Sequence, residues 1–291
     1  MYTYQQAADF AALVLYAAEM NVQYYNNPTP PADLRINEDG WEVIAYISAD
    51  DTSFSVEPRK KEGLPEHVCY GYVAKKHQLQ NALLNQYVVA IRGTDPSILL
   101  EDIHDGLIGH TSPWPNYPAI AISWGFFSIY DSMKLIPVNP IFPDNYSNLK
   151  LAEAITQLVG ANSRCTITAH SLGAALASYL MYEIGPVSPH YSACLFACPR
   201  PGNSEFSQHL TQNFSHFSVF NYVDDIIPKL PPETLAYSSL ANIQEFESQT
   251  QIDISDGPLC SHYLINYIAR LDFEVFKRVI KNDDIDSCIN L

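Results

Sequence analysis

A chain of 291 residues, 47% of them hydrophobic, has ample apolar material for a buried core. Its 32 acidic residues against 16 basic ones leave a formal net charge of −16. That balance argues against nucleic acid as a partner and disfavours electrostatic docking on anionic lipid, while leaving neutral substrates open.

The opening stretch, MYTYQQAADFAALVLYAAEM, lacks a basic n-region and alternates polar with apolar residues. It reads as an amphipathic helix capped by Thr3, not as a signal peptide. The expectation is therefore a cytoplasmic protein, or one exported without a recognisable N-terminal signal. No run reaches the ~18 apolar residues that a bilayer crossing needs. A loop follows at Asn26-Asn27-Pro28-Thr29-Pro30-Pro31. Trp41 to Ser48 and Tyr70 to Ala74 are strand-like, and Gln86 to Ile91 (QYVVAI) is a stronger strand ending at Arg92-Gly93-Thr94-Asp95-Pro96. Ser97 to Ile103 is short and amphipathic. Helices are predicted over Gly125 to Met133 and Asn148 to Gly160.

Cys165 to Thr168 then reads as a buried strand, followed by Ala169-His170-Ser171-Leu172-Gly173 and an Ala- and Leu-rich helical segment to Leu180. Ser192 to Ala197 and Phe217 to Tyr222 are further strands, the second closed by Asp224-Asp225-Ile226-Ile227-Pro228. Helices are expected at His262 to Leu271 and Phe273 to Lys281. Strands alternating with helices predict an α/β fold with a mostly parallel central sheet covered on both faces. No repeat or linker-like composition divides the chain, so residues 1–291 read as a single domain.

Six cysteines, Cys69, Cys165, Cys194, Cys198, Cys260 and Cys288, form no CxxC pair and no ligand-like spacing with histidine. Buried free thiols are the favoured reading, and no metal or organic cofactor is implied. Two sequons, Asn145-Tyr146-Ser147 and Asn213-Phe214-Ser215, would matter only in a secretory pathway.

The chemistry centres on Ser171. A serine between a strand and a helix, with small residues two before and two after it, fits a sharp turn that a larger side chain would obstruct. Such a turn is expected to expose the hydroxyl at a helix N-terminus, where N–H groups and the helix dipole favour negative charge. A hydroxyl is a weak nucleophile, so it needs a histidine base, which in turn needs a carboxylate to fix its tautomer. In sheets of this kind the chain order is serine, acid, histidine. Of nine histidines only His262 lies beyond the strand ending near Tyr222, on a loop where a base could sit exposed. Asp224 and Asp225 both follow that strand, and order alone leaves both open. Taken singly, each residue also has a plain structural reading: a helix cap for Ser171 and His262, a turn residue for Asp225.

Five blocks between Tyr70 and Leu271 resemble the class 3, fungal-lipase-like branch of the α/β hydrolases. Tyr87 to Asp95 (YVVAIRGTD) is similar to that family's strand ending in Arg-Gly-Thr. Trp124-Gly125-Phe126 with Tyr130 is similar to its Gly-Phe helix start. Ala169 to Ala177 resembles its serine elbow and Ala197 to Asn203 its Pro-Arg-x-Gly-Asn turn. Asp225 to Pro231 (DIIPKLP) resembles its Asp-x-Val-Pro-x-Leu-Pro segment. The resemblance implies the α/β-hydrolase fold and selects Asp225 over Asp224. It also implies that the backbone N–H groups of Thr94 and Leu172 form an oxyanion hole, and it places residues 95–103 where the family carries a lid. An ordinary packed helix is the alternative for that segment.

Some positions depart from the family pattern. Ala169 and Ala197 replace glycines, Ala174 replaces the second glycine of the elbow, and Leu99 stands where the lid often has tryptophan. Loss of that aromatic removes a large lipid-contacting surface and favours a soluble-ester esterase over interfacial activation. The expected activity is hydrolysis of a neutral acyl ester or lipid, with or without a lipid–water interface, through Ser171, Asp225 and His262. A phospholipase A1 or a feruloyl-type esterase would share every motif, and a non-catalytic scaffold is the reading from a different class.

Overall fold

The computed structural model describes residues 2–25, 27–50, 67–77, 84–94, 99, 109–139, 146–185, 190–214, 216–250, 253–255, 257–281 and 288–290. Helix α1 (Tyr4–Gln23) starts in a capping box: the Thr3 hydroxyl accepts from the Gln6 N–H while the Gln6 side chain accepts from the Thr3 N–H. Its Ala-rich face, Ala7, Ala8, Ala11, Ala12 and Ala17, is buried. After the short α2 (Leu34–Glu38) come three strands, β1 (Trp41–Ala49), β2 (Val68–Lys76) and β3 (Asn85–Ile91).

The minor ribbon β4 (His110–Thr111) and β5 (Ile122–Ser123) precedes α3 (Trp124–Ser132) and β6 (Lys134–Pro137). Then α4 (Leu151–Val159), β7 (Ser163–His170), α5 (Leu172–Ile184), β8 (Tyr191–Phe196), α6 (Ser204–Asn213) and β9 (Phe217–Tyr222) alternate. The C-terminal part holds β10 (Ile243–Phe246), β11 (Asp253–Ile254), α7 (Pro258–His262), α8 (Leu264–Leu271), α9 (Phe273–Val279) and β12 (Ile289–Asn290).

Eight strands form one sheet in the order β10-β9-β8-β7-β3-β2-β1-β6. The pairings from β10 through β3 are parallel, whereas β3, β2, β1 and β6 pair antiparallel. The parallel half has helices on both faces, and its strands are accordingly apolar on both sides. Strand alternation divides the core. Val89 and Ile91 of β3 and Leu195 of β8 face the cluster that includes α3, α4 and α5. Val88, Ala90 and Phe196 face the cluster of α1, α8 and α9. Helix α5 is buried nearly all round, which its sequence LGAALASYLMYEI anticipates by offering no polar face.

Two readings need correction. Cys260 and Cys288 are joined by a disulfide, with Cα atoms 5.7 Å apart, so only Cys69, Cys165, Cys194 and Cys198 are buried thiols. The antiparallel pairing of β11 with β12 brings the two partners together: Ser255 N–H donates to the Cys288 carbonyl at 2.7 Å. The helix expected from His262 onward is also broken. Helix α7 ends at His262, and the extended Tyr263 separates it from α8.

Candidate active site

The parallel strands point their C-terminal ends at one edge of the sheet, where open α/β folds place their sites. There β7 ends at His170, and Ser171 takes φ 57° and ψ −132° before α5 begins. A non-glycine residue in that region is strained, and the surrounding structure must hold it. Ser171 N–H donates to the Phe196 carbonyl at 3.0 Å, and the Ser171 carbonyl accepts from the Ala174 N–H at 2.8 Å. Gly173 makes the turn possible: a Cβ there would lie 2.3 Å from the Arg92 carbonyl oxygen. Ala197, at the end of β8, has φ 49°, which explains the glycine of the family pattern at that position.

His262 Nδ1 lies 2.7 Å from Asp225 Oδ2, and His262 Nε2 lies 2.7 Å from Ser171 Oγ. An ionised carboxylate only accepts, so Nδ1 carries the proton and the bare Nε2 accepts from the serine hydroxyl. Asp225 is held from three sides. Its Oδ1 accepts from the Ile227 N–H at 2.9 Å, and Oδ2 also accepts from the Tyr267 hydroxyl at 2.7 Å. Burial, and then the adjacent carboxylate, push the Tyr267 phenol well above its usual range, so it remains a donor. Asp224, its neighbour in sequence, is exposed.

The exposure expected of Ser171 and His262 is absent: Ser171, Asp225 and His262 are each 0% accessible. Gly93 is one reason, since a Cβ built on it would fall 2.9 Å from Ser171 Cβ. Leu99 is likewise fully buried, in the same core cluster as Leu172. The remainder of the 95–103 segment, expected as a lid or packed helix, lies outside the described residues.

Thr94, half-buried, lies just past the end of β3, after Arg92 and Gly93, and Leu172 is the first residue of α5, where backbone N–H groups lack intrahelical acceptors. The approach to Thr94 is fixed by the buried Arg92. Its Nε donates to the Cys69 carbonyl at 2.8 Å, its Nη1 donates to the Gly93 carbonyl at 2.7 Å, and its guanidinium stacks 4.1 Å from the Tyr70 ring. Among the described residues, no group of three His, Cys, Asp or Glu is placed to hold a metal ion. No described helix is long and apolar enough to cross a membrane.

Two members of the site escaped the sequence reading. Tyr267 carried a signal: in LINYIARL the residues Leu264, Tyr267, Ile268 and Leu271 form one apolar stripe, and a tyrosine on a buried stripe needs a partner for its hydroxyl. His170 adjoins Ser171 in sequence, yet strand alternation sends its side chain to the face opposite Ala169, towards His262.

The fold and this edge of the sheet have counterparts among known proteins. Over 224 residues the chain is 28% identical to a phospholipase A1-II 3 of Oryza sativa subsp. indica, covering 67% of this chain and 52% of that one. Over 126 residues it is 24% identical to secreted mono- and diacylglycerol lipase 1 of Fusarium solani, covering 43% of this chain and 35% of that one. The chain thus spans about half the length, or less, of these relatives. Lipase II from Rhizopus niveus superposes with a TM-score of 0.55 at 17% identity, covering 81% of this chain and 77% of that structure. The family described as Lipase (class 3) matches residues 88–235, just over half the sequence, and takes in the end of β3, the Ser171 elbow and the Asp225 turn. The chain belongs to the class 3 lipase family.

Proposed function

We propose that the protein hydrolyses carboxylic esters through an acyl-serine intermediate, with neutral acylglycerols as its substrate class. The observation that carries this reading is the buried relay of hydroxyl, imidazole and carboxylate, with both links at 2.7 Å. Ser171 Oγ attacks the ester carbonyl and passes its proton to His262 Nε2, and Asp225 supports the resulting imidazolium. The N–H groups of Thr94 and Leu172 stabilise the oxyanion, a contribution of ~3–4 kcal/mol from one donor in other hydrolases. The C–O bond to the alcohol breaks, and the alcohol leaves with the proton held by His262. Water then attacks the acyl group with His262 again as base, releasing the carboxylic acid and restoring Ser171. The chain's own residues supply every proton transfer in this sequence.

Removing the hydroxyl tests the assignment. Ser171→Ala should abolish p-nitrophenyl butyrate hydrolysis and labelling by a fluorophosphonate while the protein stays folded by circular dichroism. Wild-type turnover in that variant would remove Ser171 from the mechanism, and failure of the wild type to label would favour the non-catalytic scaffold. A second reading, phospholipase A1, draws on the name of the rice relative. A panel of diacylglycerol, triacylglycerol and phosphatidylcholine separates the two by head group.

A further inference from the structure

His170 lies outside the relay, yet it is the side chain that grips the backbone of the base. Its Nε2 sits 2.9 Å from the His262 carbonyl oxygen, and the two rings lie 4.7 Å apart, tilted by 36°. A carbonyl only accepts, so His170 Nε2 must carry a proton. The need for such a grip follows from the local chain. Helix α7 is a single turn whose last helical bond runs from the Tyr263 N–H to the Leu259 carbonyl at 3.0 Å, and Tyr263 is extended, so the His262 carbonyl faces the break before α8. Upstream, the Cys260 carbonyl is held by Asn266 Nδ2 at 2.8 Å. At His262 itself the carbonyl is held by His170, which is fixed in turn as the last residue of β7, paired with Phe196 of β8.

We propose that His170 is a positioning residue for the hydrolytic reaction: as the neutral Nε2–H tautomer it donates to the His262 carbonyl and so couples the base to the strand that carries the nucleophile. Burial, and then the neighbouring His262, hold its imidazole well below the usual histidine range, so it adds no charge to compete with an imidazolium at His262. One strand end then sets both partners of the reacting hydrogen bond, Ser171 through the backbone and His262 through the preceding side chain. Displacing a catalytic group by ~1 Å can cost about 10²-fold in rate.

This inference rests on the hydrolase reading, and its test separates the two. His170→Met removes the donor at similar reach, whereas His170→Gln places an amide N–H near the lost Nε2–H. The Met variant should lose about 10- to 100-fold in kcat for p-nitrophenyl butyrate with KM within about two-fold of wild type, and the Gln variant should recover most of it. A Met variant at wild-type kcat, or a folded Gln variant as impaired as the Met one, overturns the proposal. Independently of folding and of activity, two-bond ¹H–¹⁵N correlation spectra of the wild-type protein at pH 7 should give His170 the neutral Nε2–H pattern. An Nδ1–H or imidazolium pattern would also overturn it. An active Ser171→Ala protein would sink the acyl-Ser171 mechanism instead, leaving the spectroscopic result standing.

Discussion

Asp225 serves three donors at once, and that is what distinguishes it from Asp224. The Ile227 N–H, the Tyr267 hydroxyl and the His262 Nδ1–H converge on one buried carboxylate, while Asp224 faces solvent. Asp225→Asn would put an amide where only acceptors fit. Whichever way it turns, the NH2 group meets a donor, and against His262 it favours the tautomer with Nε2 protonated and facing Ser171. The expected loss in kcat is on the order of 10⁴-fold, the scale seen for the same change in another serine hydrolase, while Asp224→Asn should stay within about two-fold of wild type. Steady-state kinetics on p-nitrophenyl butyrate decide it, and equal losses in the two variants would show that the acid has been misassigned. At this scale the sequence carried chemistry well and surroundings poorly. Ser171, His262 and the pair of aspartates stand out because few residue types do such work in such an order. Their burial was not legible, because the close approach of Gly93 to Ser171 is a contact across the sheet edge and leaves no local pattern. His170 was hidden by its neighbour, since a histidine beside an elbow serine reads as part of the turn.

Among the elements, α7 is the one whose position matters most and whose own structure holds it least. It has five residues, begins after Gly257 without a side-chain cap, and ends at His262. Such a turn is not stable alone and must be held from outside. Asn266 grips the Cys260 carbonyl, His170 grips that of His262, and the Cys260–Cys288 bridge ties the turn to the β11–β12 pair. The long strands and the amphipathic α1 and α8 were readable because periodicity and capping are local. The edge strands β6 and β10 and the two-residue β11 and β12 were not, since pairing partners distant in sequence define them. The same holds for the bridge, whose 28-residue separation has no signature. Cross-linking over that separation stabilises by about 3–4 kcal/mol on the chain-entropy estimate, or on the order of 5 °C in Tm for a chain of this size. Cys288→Ser should lower Tm by that order and reduce kcat together with it, and dithiothreitol should reproduce both effects in the wild type but not in the variant. The four remaining thiols are buried and give the reductant no second disulfide to act on. A Tm and kcat indifferent to both treatments would show that the bridge does not support the base.

For the whole molecule, the sheet separates two cores and brings the ends of β3, β7 and β9 to one edge, where Ser171 meets His262, 91 residues away in sequence. The charge acts on a different range. A formal net charge of −16 produces a field that neutral acylglycerols do not feel and anionic lipid surfaces do. Encounter with an anionic surface is then the step the charge opposes, and salt relieves that opposition as the Debye length contracts from roughly 20 Å at low ionic strength to under ~5 Å at 0.5 M. Hydrolysis of diacylglycerol dispersed in zwitterionic vesicles should vary little between 20 mM and 500 mM sodium chloride, taken here as approximate bounds of the Debye range. With phosphatidylglycerol added to the same vesicles the rate should fall at low salt and recover several-fold as salt rises. Release of fatty acid against ionic strength, read as the ratio between the two vesicle types, cancels any direct effect of salt on the enzyme. A ratio that falls with salt would mean that a local basic surface, not the net charge, governs how this protein meets lipid.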